Sequence, residues 1–109
     1  MAVVTINEGT TAAFDVSFTD EADAAVTPNI IAWSLFDDRG TVINSREDVA
    51  ATPDSTITIV LFGDDLKRTS ATDRGIRKLT VYAEYDSDLG SDLPITAEHE
   101  FRVADFIGI

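Results

Sequence analysis

The sequence contains no cysteine. That excludes a disulfide framework, a cysteine zinc site and a thiol nucleophile, and it fits assembly in a reducing cytoplasm. Histidine occurs once, at His99, so any Ser-His-Asp mechanism would have to run through that residue. No GxSxG, GxxxxGK[ST] or HExxH pattern occurs, which removes the common nucleophile elbows, phosphate loops and zinc-protease helices. No apolar run approaches the ~20 residues that cross a bilayer. Met1 leads directly into the strand-like Ala2-Val3-Val4-Thr5-Ile6, with no basic segment and long apolar stretch ahead of it, so no signal peptide is expected. Positive charge is also scarce: 8 Lys and Arg stand against 20 Asp and Glu, a formal net charge of -12. Phosphate recognition needs clustered Lys and Arg, so neither nucleic acid nor an anionic membrane is expected as a partner. The excess acid reads as solubility and repulsion between copies, as a complement to a basic protein partner, or as a cation site.

What is present is periodicity. At 109 residues the chain has the size of one domain spanning residues 1–109, and its 44% hydrophobic content argues against disorder despite the charge. Apolar residues recur every second position between turn residues, the mark of strands. The alternation predicts strands at residues 3–7, 12–18, 30–36, 41–44, 55–62, 77–85 and 95–103. Phe14, Val16 and Phe18 share one face, as do Ile31, Trp33 and Leu35, and likewise Ile57, Ile59 and Leu61. Leu79, Val81, Ala83 and Tyr85 face inward on the sixth strand, and Ala97, Phe101 and Val103 on the seventh. Asp64-Asp65 followed by Leu66-Lys67 suits one short helical turn within residues 63–71.

Seven strands and no long helix in a chain of this length predict an all-β fold: an Ig-like or fibronectin-like antiparallel β-sandwich. Trp33 sits on the third strand, where such sandwiches place a large core aromatic. Asp73-Arg74-Gly75 resembles the corner before the sixth strand, although Arg77 stands where a corner tyrosine is expected. His99 shares strand parity with Ala97 and Phe101, so it is expected in or at the edge of the core, hydrogen-bonded to backbone.

Carboxylates are plentiful, but a glycosidase pair needs an aromatic-lined cleft, and with Trp33 in the core few aromatics remain; no enzyme activity is expected. Asp86-Ser87-Asp88-Leu89-Gly90-Ser91-Asp92 alternates acids around a glycine as calcium loops do. It fails as an EF-hand, with Gly90 at the fifth position and Ala97 at the twelfth, and strands instead of helices flank it. Asp86, Asp88 and Asp92 remain candidate cation ligands, with no resident metal or cofactor expected. Loops meeting at one end of the sandwich bring them near Asp20, Glu21, Asp23, Glu47, Asp48 and Asp54, opposed by Arg46 alone. The ending, Phe101 to Ile109, stays apolar to its last residue, so Phe106, Ile107 and Ile109 either cover the sandwich or dock on a neighbour.

Four stretches resemble a family of small structural proteins encoded in the head and tail gene clusters of tailed bacteriophages and prophages. They are Ile6-Asn7-Glu8-Gly9-Thr10-Thr11, Ile59-Val60-Leu61 with Asp64-Asp65-Leu66, Leu79-Thr80-Val81-Tyr82-Ala83-Glu84-Tyr85, and Phe101-Arg102-Val103 with Ile107-Gly108-Ile109. The resemblance implies an Ig-like virion protein with no catalytic residues, displayed as capsid decoration or cement, or attached at the tail or head–tail junction. Its implied partner is the major capsid protein or a tail protein, with a homo-oligomer also possible. The implied location is the outer surface of the virion, after assembly in the host cytoplasm. The expected contacts are Phe106, Ile107 and Ile109 with Leu66, Lys67, Arg68 and Arg74. An Ig-like carbohydrate- or cell-surface-binding module is the alternative, but it would want exposed loop aromatics where this chain has small acidic residues.

Overall fold

The computed structural model describes residues 4–68 and 73–104. Seven strands form two facing sheets: β1 (Val4–Asn7), β2 (Thr11–Ser17), β3 (Ile30–Asp37), β4 (Val49–Ala51), β5 (Thr56–Phe62), β6 (Ile76–Ser87) and β7 (Gly90–Ala104). A single 3-10 turn, Gly63–Leu66, follows β5. One sheet has the order β1-β7-β6-β3-β4 and the other is the pair β2-β5. Every pairing is antiparallel except β1 on β7. The chain is an all-β sandwich, and its strand order is compatible with an Ig-like connection, in which the second and fifth strands form one sheet and the third, sixth and seventh the other.

The core is what the alternation dictates. Ile31, Trp33 and Leu35 of β3 and Leu79, Val81 and Ala83 of β6 face Ile57, Ile59 and Leu61 of β5, with Phe101 and Val103 of β7 closing the lower end. Each buried side chain of this size contributes roughly 1.5–3 kcal/mol, which is what lets the domain dispense with disulfides.

Four expectations change. Residues 41–44 are not a strand; only Val42 makes an isolated bridge, to Phe36, and the strand beside β3 is β4. β7 begins at Gly90 instead of residue 95, so Asp86 to Asp92 is the end of a long hairpin closed by the pair Ser87 and Gly90 around Asp88-Leu89. Pro94 is tolerated inside β7 because β1 covers only Phe101 to Ala104, leaving the strand's outer edge unpaired there among the described residues. Ala97 has the predicted parity but is exposed. His99 is half-buried against the rings of Phe14 and Phe101, at centroid distances of 5.1 and 6.3 Å. The expected backbone bond is not seen: its buried Nε2 has no hydrogen-bond partner among the described residues.

The corner before β6 turns on Gly75. Its φ is +79°, and a Cβ there would lie 2.2 Å from the Val103 carbonyl oxygen. Its own carbonyl accepts the Val103 N–H at 2.7 Å, so neither backbone can retreat without breaking that bond. Gly40, at φ +83°, has open space around its missing Cβ. Gly40→Ala is therefore expected to cost about 1–2 kcal/mol, the left-handed backbone penalty alone. Gly75→Ala is expected to cost distinctly more, above about 2 kcal/mol, because the clash adds to the same penalty. Urea unfolding midpoints of the two variants test the difference, and equal losses would contradict it.

Candidate functional site

Strand direction sorts the charges. β2 and β6 run toward the end formed by the β2–β3 connection, residues 52–55 and the β6–β7 hairpin; β3, β5 and β7 run away from it. That end, the tip, carries Asp20, Glu21, Asp23, Asp54, Glu84, Asp86, Asp88 and Asp92. All 8 basic residues, Arg39, Arg46, Lys67, Arg68, Arg74, Arg77, Lys78 and Arg102, lie in the opposite half. Arg46, expected to oppose the acidic tip, is instead drawn to Asp65 of the 3-10 turn, 2.8 Å away. Glu47 and Asp48 also leave the tip: they precede β4, and the Asp48 N–H donates to the Ser34 hydroxyl at 2.9 Å. The tip is thus more purely anionic than the sequence predicts, because its expected counter-charge belongs to another site.

Three of the tip's carboxylates, Asp20, Glu21 and Asp86, hold its loops. Asp20 Oδ1 accepts the N–H groups of Ala22 and Ala24, an Asx turn that builds the β2–β3 connection. Glu21 accepts the Tyr85 hydroxyl at 3.0 Å and the Ser87 hydroxyl at 2.9 Å, tying that connection to the β6–β7 hairpin. The Glu21 carboxylate, with burial and the neighbouring Asp20 charge, holds the Tyr85 phenol above its usual range. Asp86 Oδ1 accepts Asn29 Nδ2 and the Asp92 N–H, each at 2.9 Å. Among the described residues no three His, Cys, Asp or Glu side chains are grouped so as to hold a metal ion. Asp86, Asp88 and Asp92 thus lie at a hairpin terminus, in which Asp86 serves Asn29 and the hairpin's own backbone.

The opposite end collects the predicted contact residues around a bolted corner. Arg77, fully buried, donates through Nη1 to Asp73 Oδ1 at 3.1 Å and the Ile76 carbonyl at 2.9 Å. Its Nη2 donates to Asp73 Oδ2 at 2.6 Å and the Lys67 carbonyl at 3.0 Å. Arg68 adds a second tie: its N–H donates to Glu8 at 2.8 Å, Nη1 to the Asp73 carbonyl at 3.0 Å, and Nε to the Val103 carbonyl at 3.4 Å. Arg68 is thus partly spent on structure. Lys67 and Arg74 remain exposed, Lys67 loosely paired with Asp64 at 3.6 Å. Leu66, expected as a contact, is completely buried in the core and offers a partner nothing. Phe106, Ile107 and Ile109 lie outside the described residues, but the chain leaves toward them from Ala104, next to the Val103–Gly75 bond. The sequence marked Arg77 only as standing where a corner tyrosine is expected; the signal for its buried ion pair is its shared parity with Leu79 and Val81, four residues after Asp73.

Because the second sheet has two strands and the first five, the sandwich has an open seam on each flank. Between β2 and β7 lies a groove of about 530 Å³ lined by Phe14, Val16, Leu79, Val81, Ala97 and His99. Between β4 and β5 lies one of about 430 Å³ floored by Trp33, Ile57 and Ile59. No protein-family model matches the chain, and neither does any curated protein or solved structure.

Proposed function

We propose that this chain is a non-enzymatic structural protein of a tailed phage, a capsid decoration or cement protein held on the outer capsid surface. Lys67, Arg74 and the apolar residues that follow Ala104 form the attachment end, and the acidic tip points away from the particle. One observation supports this reading above the others. Arg77 and Arg68 tie the corner before β6 to the lower end of β7, so the corner that carries the exposed Lys67 and Arg74 is held against Val103, the residue before Ala104. The opposite end carries eight carboxylates and no base, a surface suited to solvent and opposed to packaged DNA. The partner is then the major capsid protein, with a tail or head–tail protein as the alternative within the same class.

Mass spectrometry of purified particles followed by cryo-EM localisation tests this. Density on the capsid exterior is the expected result; density on the tail selects the alternative, and absence from the particle overturns both. Lys67→Glu with Arg74→Glu should leave the melting temperature within a few degrees, since both side chains are exposed, while sharply reducing incorporation. Undiminished incorporation would remove this end from the attachment surface.

A further inference from the structure

β5 is an edge strand that nothing in its own sequence protects. Thr56-Ile57-Thr58-Ile59-Val60-Leu61-Phe62 contains no charge, proline or glycine. It pairs with β2 on one side, and among the described residues with no strand on the other. Its outward backbone groups run along the β4–β5 seam, free except for the Phe62 N–H that Asp65 accepts, and on its outer face Val60 and Phe62 are 44% and 54% exposed. An open, flat, apolar edge of this kind is a template for another strand, and proteins ordinarily blunt it with charge, proline or a bulge. The other open edges carry charge or proline or are short, as β1 is with four residues. β2 carries Asp15; the uncovered part of β7 carries Asp92, Pro94, Glu98 and Glu100; β4 is three residues long and follows Glu47-Asp48.

We infer that two copies of this chain associate edge to edge through β5, antiparallel about a two-fold axis at Ile59. With a net charge of -12, two copies repel wherever carboxylates meet, and β5 is the edge free of them. Only at the strand's ends do carboxylates meet in this register, Asp54 of one copy opposite Asp64 of the other, and there Lys67, 3.6 Å from Asp64, offsets the charge. In this register Thr58 of one copy stands opposite Val60 of the other, and Thr56 opposite Phe62. These are the β-branched and aromatic cross-strand pairs that stabilise sheets. The two exposed apolar side chains become covered, and the β2-β5 pairs of the two copies merge into one four-stranded sheet. On the inner side, the small Ala50, Ala51 and Thr52 that border the seam leave room for the second copy's β4.

The test is the mass of the full chain in solution across concentration and salt. The expected result is twice the 11.8 kDa chain mass, with a dimer fraction that rises with ionic strength as the repulsion is screened. Val60→Glu places a carboxylate on the outer face of each edge. It should keep the wild-type circular dichroism while weakening the dimer by about tenfold or more. Mixing Val60→Glu with Thr58→Lys should restore association as a heterodimer, since those positions face each other across the axis. Because the chain has no cysteine, Thr58→Cys combined with Val60→Cys gives a clean cross-link. Facing Cα atoms in an antiparallel pair lie about 4.5–5.5 Å apart, within disulfide reach. A monomer at every concentration and salt, or a dimer that Val60→Glu leaves unchanged, would overturn the inference.

Discussion

Arg77→Met is expected to destabilise the protein by about 3–5 kcal/mol, the usual cost of removing one member of a buried, hydrogen-bonded ion pair. The guanidinium is fully buried and the Asp73 side chain is 7% exposed, so water cannot take over the lost bonds. Four hydrogen bonds disappear together, two to the Asp73 carboxylate and one each to the Lys67 and Ile76 carbonyls. Arg77→Lys should recover little of this. An ammonium is a point charge, and it does not reproduce the fork that holds a carboxylate and two carbonyls at once. For a domain of this size each kcal/mol corresponds to roughly 4–8 °C in melting temperature, so a thermal scan resolves the effect easily. Hydrogen exchange should accelerate first at residues 67–68, 73–76 and 103, the backbone that Arg77 and Arg68 hold together. A loss below about 1 kcal/mol would mean that the corner stands without its bolt. The attachment proposal would then lose its supporting geometry as well.

Sequence periodicity made the sandwich legible because its central strands are half-buried with strict alternation. Ile31-Trp33-Leu35, Ile57-Ile59-Leu61 and Leu79-Val81-Ala83 each point three or more large side chains into one core, a pattern that no helix reproduces. β4 escaped because three residues, Val-Ala-Ala, are too short and too small to show any period. The first half of β7 escaped for the opposite reason. Gly90 and Pro94 read as breakers, yet an unpaired outer edge tolerates both. The candidate cation residues fall on three parts of the β6–β7 hairpin, Asp86 in β6, Asp88 in the turn and Asp92 in β7, a division that spacing along the sequence does not show. The neighbours Asp64 and Asp65 show a limit of another kind. Their side chains are 74% and 0% exposed, and a single 3-10 turn has no periodicity from which to say which of two adjacent acids goes inside. Leu66 was misassigned to the surface for that reason too.

Asp65→Ala is expected to cost a further loss of the same order, about 3–5 kcal/mol, because this carboxylate is the hub of a buried network. Asp65 Oδ1 accepts Asn44 Nδ2 at 2.7 Å and Arg46 Nε at 2.8 Å, while Oδ2 accepts Arg46 Nη2 and the Phe62 N–H, each at 3.2 Å. Removing it strands four N–H donors on three residues and detaches the 3-10 turn from the segment after β3. Arg46→Met should cost less than Asp65→Ala. The Arg46 side chain is 31% exposed, so its charge keeps partial access to water, and Asp65 retains Asn44 and Phe62. Titration gives the pair a signature. Burial alone would push the Asp65 carboxyl up, but the Arg46, Asn44 and Phe62 hydrogen bonds outweigh it and hold the group below the usual carboxylate range. A depressed folded-state pKa means that the unfolded chain takes up its proton first as pH falls. The Asp65 contribution is therefore complete above the unfolded value of about 3.9 and drains away as pH drops through the lower folded value. Urea midpoints of wild type and Asp65→Asn should differ by a constant amount from pH 7 to about 5 and converge below about 4. A gap that persists undiminished into strong acid would show that Asp65 acts by shape and not by charge.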